Sequence, residues 1–157
     1  MKVILFLIVL VIHGFSITQS VLVTRVVDGD NNHFKDYKGK KKKVRLWGID
    51  APELTQRDGA KSGRFLSILI SGSYVTLNVI ETDRYGRWVA QVFDEQNRYL
   101  NEEMVRLGLA WVYDSYVGDQ VPEWFEYQRQ AQAKQIGLWR IKSPVPPWEY
   151  RRKTYSK

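Results

Sequence analysis

Five short runs of β-branched and aromatic residues, with one segment of helical period between the third and fourth, constrain this chain more than any other feature. From Val21 the text reads "VLVTRVVDGDNNHFKDYKGKKKKVRLWGID", in which "DGDNN" and "YKGKKKK" interrupt the runs as turns do. Strands are expected at roughly 21 to 28, 32 to 37 and 43 to 49. After the loop "APELTQRDGA", the stretch "KSGRFLSILISG" spaces Phe65, Leu66, Leu69 and Ile70 at helical intervals and stops at Gly72. "SYVTLNVI" resumes period two, "ETDRYGR" is a polar loop, and "WVAQVFD" is a fifth strand closed by the turn "EQNR".

Helical patterns follow. "YLNEEMVRLGLAW" sets Leu100, Met104 and Leu107 on one stripe, with Gly108 near its end. "PEWFEYQRQAQAKQIGLW" opens on proline and acids, which match a helix N-terminus, and ends near Gly137. The last segment, "SPVPPWEYRRKTYSK", carries three prolines and a basic end, so residues 141 to 157 are expected to run extended along the surface with Trp148 as packing anchor. This order of elements favours a small β-barrel of Greek-key type capped by helices.

At 157 residues with 44% hydrophobic side chains, the chain is sized for one domain with a real core. Residues 1 to 20 give one lysine, about ten consecutive apolar residues and then small polar ones, the three-part pattern of a secretory signal. The apolar run is too short to span a bilayer. A retained amphipathic anchor would need a polar stripe that the run lacks. Cleavage after Ser16 or after Ser20 fits, and either implies a secreted or periplasmic protein. The sequence has no cysteine, which excludes disulfides, thiol nucleophiles and thiolate metal sites. Lys2 is the one formally charged residue in the signal, so the chain's net charge of +7 falls by one on its removal. A basic exported domain points to a polyanionic partner, although a solvated basic surface gives the same balance.

Acidic residues cluster in two places. Asp28 and Asp30 flank Gly29, a residue that lets the backbone turn tightly enough to aim both carboxylates locally, though "DGD" in isolation reads first as a plain β-turn. In "VRLWGIDAPE", Pro52 restricts Ala51 to extended backbone and so fixes the spacing of Asp50 and Glu53. Carboxylates without cysteine, and with His33 as the one histidine beyond the signal, suit a hard cation such as calcium rather than zinc. Arg45 and Arg87 supply complementary charge. Two converging guanidinium groups match a phosphodiester, while either alone reads as a surface ion-pair partner. Lys40 to Lys43 read as a solvated turn, and Tyr85, Tyr113 and Tyr116 as rim packing or base-stacking rings.

The ordered set "VTRVVDGDN", "VRLWGIDAPE", "TDRYGR", "LNEEMVRLGLAWVY" and "AQAKQIGLW" resembles the staphylococcal nuclease (thermonuclease-like) family, from about Leu22 to Trp139. The resemblance implies an α+β protein, an OB-fold five-stranded Greek-key β-barrel with three α-helices spanning residues 21 to 140. It implies calcium-dependent hydrolysis of DNA and RNA phosphodiesters, with cleavage at the 5′ oxygen leaving 3′-phosphate ends. By position it makes Asp30, Asp50 and the Ala51 carbonyl the calcium ligands, Arg45 and Arg87 the catalytic arginines, and Glu53 the proposed general base. Arg84 and Tyr85 fall where the family contacts a terminal phosphate, Tyr113 and Tyr116 near its base-stacking region, and Asp28 in a supporting role. Asn31 stands where threonine is frequent, and Ala51 where the founding member has threonine. A backbone oxygen is what residue 51 contributes, and Asn31 is expected to lie beside the chemistry. Asp114 and Ser115 interrupt the tyrosine region.

Two rival classes remain at this stage. A non-catalytic OB module would bind single strands through its basic face and would need no intact acid and arginine set, whereas Asp30, Arg45, Asp50, Glu53 and Arg87 are all present. A protein-interaction domain would use the aromatic tail around Trp148. A monomer is the expected state for a small hydrolase.

Overall fold

The computed structural model describes residues 17 to 155, and the expected signal residues 1 to 16 lie outside the described residues. The expected strands form at β1 (Ile17–Val26), β2 (Asn31–Lys35), β3 (Lys41–Leu46), β5 (Tyr74–Thr82) and β6 (Trp88–Phe93). They close a barrel in the order β1-β2-β3-β6-β5 and back to β1, with β3 and β6 parallel and every other pair antiparallel. That closed α+β barrel is the expected OB-type architecture.

Alternation explains the barrel's inside. Val21, Val23, Phe34, Val44, Leu46, Val75, Leu77, Ala90 and Val92 are buried, and most of their strand neighbours are more exposed, Val89 being an exception. Leu66 and Ile70 of α1 (Gly59–Ile70) join the same core, as do Leu100 and Met104 of α2 (Leu100–Arg106) and Trp124 of α4 (Pro122–Ala133). Asn101 acts as a buried polar link between layers. Its amide donates to the Trp47 carbonyl at 2.8 Å and the Ala90 carbonyl at 3.1 Å, and its oxygen accepts from the Val92 N–H at 2.9 Å.

Several local expectations are corrected. Among the described residues there are five α-helices, not three, one of them the single-turn α3 (Asp114–Val117). The pattern "YLNEEMVRLGLAW" is helical only to Arg106, because Gly108 adopts a left-handed φ of 63° and releases the chain into β7 (Trp111–Val112). The third strand does not reach residue 49. It ends at Leu46, Gly48 turns the chain at φ 77°, and β4 (Ile49–Asp50) pairs with β7 instead. Lys41 to Lys43 lie in β3 and not in a turn, with Lys42 Nζ 4.2 Å from the Trp88 ring centre.

The largest correction concerns the C-terminal segment. Residues 147 to 155 form α5 (Pro147–Tyr155) rather than an extended tail. Proline opens the helix, Glu149 sits in its first turn, and Arg152 and Lys153 sit in its last, each end matching the helix dipole. Trp148 does anchor it, packing 5.7 Å from the rings of both Trp111 and Tyr113. Gln56 donates to the Val145 carbonyl at 2.6 Å, and the Tyr150 hydroxyl reaches the Thr55 carbonyl at 3.2 Å. The helix therefore docks on the loop that carries Glu53. Among the described residues, no helix is long and apolar enough to cross a membrane.

Candidate active site

Two acidic loops meet under the N-terminal end of α1. Asp28 closes the first as an Asx turn, its Oδ1 accepting from the backbone N–H of Asp30 at 3.0 Å and of Asn31 at 2.6 Å. Gly29 is required here for space and not for unusual backbone angles, since it is absent from the residues with positive φ. A Cβ on Gly29 would lie 2.6 Å from the Ala51 Cβ and collide with the Ser62 hydroxyl. Close approach of α1 to both loops depends on that missing carbon.

Asp30, 2% exposed, accepts from the Ala51 N–H at 2.9 Å, which ties the "DGDN" loop to the "IDAPE" loop. Asp50, wholly buried at the end of β4, lies on the other side of Arg45. Arg45 is set on the outer face of β3 between Asn31 of β2 and Val89 of β6. Its two terminal nitrogens reach Asp30 Oδ2 at 3.2 Å and Asp50 Oδ1 at 3.0 Å. Burial alone would weaken the Arg45 charge, but Asp30 and Asp50 outweigh it and hold the guanidinium above its ordinary pKa. Burial dominates at Asp30, pushing its carboxyl up to about 8 against the pull of Arg45. No cluster of three or more Asp, Glu or His side chains forms among the described residues.

Arg87 arrives from the turn before β6. Asp83 organises that turn, accepting from the N–H groups of Tyr85 at 2.8 Å and Arg87 at 3.0 Å and from Arg87 Nε at 2.7 Å. Desolvation raises the Asp83 carboxyl, but the hydrogen bonds from Arg87 and Tyr85 and the Arg87 charge together outweigh it and hold it below its ordinary pKa. Arg87 Nη1 then donates to Asn31 Oδ1 at 2.7 Å, and the Asn31 amide donates to both Asp28 oxygens and to Asp30. Asn31 is therefore wired between the acids and Arg87, a correction to the expectation that it lies beside the chemistry.

An open cleft of about 650 Å³ collects these groups. Asn31, Arg45, Glu53, Arg84, Tyr85, Arg87, Tyr113 and Tyr116 line it. Tyr85 is largely exposed and is approached by the guanidinium groups of Arg84 at 4.9 Å and Arg87 at 5.4 Å. Tyr113 and Tyr116 stand near parallel with ring centres 6.1 Å apart, so Asp114 and Ser115 do not separate them. Of the site candidates, Arg45, Glu53, Arg84, Tyr85, Arg87, Tyr113 and Tyr116 line this cleft, and Asp30 and Asp50 adjoin it through Arg45, with Ala51 bonded to Asp30. Among the cleft residues that were not singled out is Arg151 of α5, which pairs with Asp50 and Glu53.

The staphylococcal nuclease homologue family model matches residues 43 to 141. A protein named as an uncharacterized endonuclease of Escherichia coli O157:H7 is 40% identical over 129 residues, covering 82% of each chain. Another so named, from Haemophilus influenzae, is 42% identical over 130 residues, 83% of this chain and 71% of the relative. A probable staphylococcal-like nuclease of Oryza sativa subsp. japonica is 38% identical over 113 residues, 72% of this chain and 33% of the longer plant protein. With more than half its length matched by the family model and relatives at this identity, the chain belongs to the staphylococcal nuclease family.

Proposed function

We propose that this protein is a calcium-dependent endonuclease that hydrolyses DNA and RNA phosphodiesters, breaking the bond to the 5′ oxygen and leaving 3′-phosphate ends. The observation that carries the reading is the convergence of Asp30, Arg45, Asp50, Glu53 and Arg87 on one cleft from separate elements. Endonuclease names among relatives covering most of the chain support it.

The donor chemistry fits a hard cation. Two buried carboxylates, Asp30 and Asp50, together with the Ala51 carbonyl, would hold calcium, which when bound supplies charge neutralisation at a phosphoryl oxygen. Arg45 and Arg87 present N–H donors to the remaining phosphoryl oxygens, where negative charge grows as the attacking oxygen bonds to phosphorus. Glu53 orients or deprotonates the attacking water, and its position on the cleft wall gives it access to that water. The water oxygen bonds to phosphorus, the bond to the 5′ oxygen breaks, and that oxygen departs as an alcohol with a proton. Arg84 and Tyr85 bind a neighbouring or terminal phosphate, and Tyr113 and Tyr116 offer rings to bases. Most of these contacts go to phosphate, which carries no base information, so sequence preference is weak.

On this reading the protein is exported to the periplasm or medium, where calcium is plentiful enough for a low-affinity site. Pairing of Ile17–Ser20 with Val79–Thr76 of β5 supports signal cleavage after Ser16, because cleavage after Ser20 removes that part of β1. The active species is a monomer. Incubation of the purified protein with plasmid and single-stranded DNA and with RNA, in calcium or in chelator, tests the reading. Calcium-dependent cleavage with 3′-phosphate ends supports it. Binding without cleavage under both conditions assigns the chain instead to the non-catalytic nucleic-acid-binding class.

A further inference from the structure

Arg151 is the one cationic side chain from outside the barrel that enters the acidic floor among the described residues. Its guanidinium forks onto Asp50, with Nη2 2.7 Å from Oδ2 and Nη1 3.0 Å from Oδ1. The same Nη1 donates to Glu53 Oε1 at 2.8 Å. One nitrogen thus holds two carboxylates together that would otherwise repel. Arginine stays charged at any working pH.

Glu53 needs such a clamp. It stands on the loop after Pro52 with a flexible side chain about a quarter exposed, and its Oε1 is bound by Arg151. Asp50 is fully buried and fixed by β4, so Arg151 transfers the rigidity of Asp50 to Glu53. Tyr150 of α5 reinforces the same loop through Thr55, as does the segment before the helix through Gln56 on the Val145 carbonyl. Glu53 therefore owes its place in the cleft to a helix about a hundred residues away in the chain.

We propose that Arg151 is a positioning residue for phosphodiester hydrolysis: it acts through Glu53, setting the carboxylate that handles the attacking water, and α5 is thereby part of the active site and not an appendage to residues 21 to 140. The proposal rests on the nuclease reading above. Outer-shell partners of this kind typically change activity by about 10- to 100-fold when removed.

A double-mutant cycle tests it. Arg151→Gln, Glu53→Gln and the pair are compared with the full chain for kcat and KM on single-stranded DNA in excess calcium, with urea melts to verify folding. Arg151→Gln is expected to lower kcat by about 10- to 100-fold with KM little changed, and to have almost no further effect once Glu53 is glutamine. Arg151→Lys, which keeps the charge but loses the fork, recovers part of the rate and serves as the folded variant if glutamine at 151 proves unstable. Fluorescence anisotropy of a short labelled DNA in the Glu53→Gln background adds a readout independent of turnover, and its affinity is expected to change less than about threefold on adding Arg151→Gln. Full additivity of the two substitutions, an unchanged kcat in folded Arg151 variants, or a large loss of DNA affinity overturns the positioning role. A wild-type protein that cleaves nothing in calcium overturns the nuclease reading itself, a different result from either.

Discussion

Arg87 donates through Nη1 to the side-chain oxygen of Asn31 at 2.7 Å, across 56 residues of sequence. Asn31 passes its amide to Asp28 and Asp30, so a single neutral side chain joins the cationic wall of the cleft to its acidic floor. The geometry of the whole site depends on that bridge, because Arg87 is otherwise tied only to its own turn through Asp83 among the described residues.

Arg87→Ala is expected to lower kcat by about 10²- to 10³-fold without unfolding the protein, the usual loss for one preorganised donor. Its side chain is one-quarter exposed and holds no core together. Arg45→Ala is a less clean probe, since it leaves buried Asp30 without its ion-pair partner and Asp50 with Arg151 alone, and costs roughly 3 kcal/mol of stability as well. Hydrolysis rates with excess calcium, read beside urea melts, separate the two effects. An Arg87→Ala enzyme that keeps most of its rate contradicts the role given to Arg87.

Asn31→Ala removes the bridge while leaving both charges in place. A loss of roughly tenfold or more in kcat is expected, comparable with removal of other supporting partners. The check is steady-state kinetics on the same DNA substrate, with Asn31→Asp as a second variant that adds a charge beside Asp30.

Gly29→Ala is expected to destabilise the fold by about 1 to 3 kcal/mol, because the new methyl group is forced against Ala51 and the Ser62 hydroxyl. The overlap pushes α1 away from both acidic loops, so calcium affinity falls as well. Urea denaturation and calorimetric titration measure the two losses on one sample. A variant as stable as the parent shows that α1 does not set the loop spacing.

Asn101→Leu is expected to cost several kcal/mol, since the Trp47 and Ala90 carbonyls and the Val92 N–H lose their partner, each unsatisfied buried group carrying about 1 to 3 kcal/mol. Equilibrium denaturation reads this directly. The loss should appear without any change in the calcium requirement of the residual folded enzyme.

Calcium binding is expected to be weak, with a dissociation constant of about 10⁻⁴ to 10⁻³ M, because few carboxylates converge on the site. Chelation should abolish cleavage reversibly. Titration calorimetry giving nanomolar affinity contradicts a site built from Asp30, Asp50 and a backbone carbonyl.

Much of the site was legible because its parts are local motifs. Glycine between aspartates, proline before glutamate and an arginine closing a glycine turn are short-range signals, and the barrel follows from strand alternation. Arg151 was not legible in this way. Its contacts span 98 and 101 residues, and no periodicity links a basic tail to "IDAPE". The helix that carries it did leave a signal, with a proline at the start, an acid in the first turn and bases in the last, but three prolines in one segment read as extended chain. The strands β4 and β7 have two residues each, too few for any alternation to show. Asn31 was undervalued because an amide has no charge to mark it, and its importance lies in having a donor and an acceptor at one place.

The most direct measurement is end-group analysis of DNA digested by the wild-type protein and by Arg87→Ala, each in millimolar calcium and in chelator. Wild-type protein with calcium should produce fragments with 3′-phosphate and 5′-hydroxyl ends, with neither chelated protein nor the Arg87 variant producing them at a comparable rate. Fragments with 5′-phosphate ends, or cleavage that persists undiminished in chelator, contradict a calcium site opposed by paired arginines.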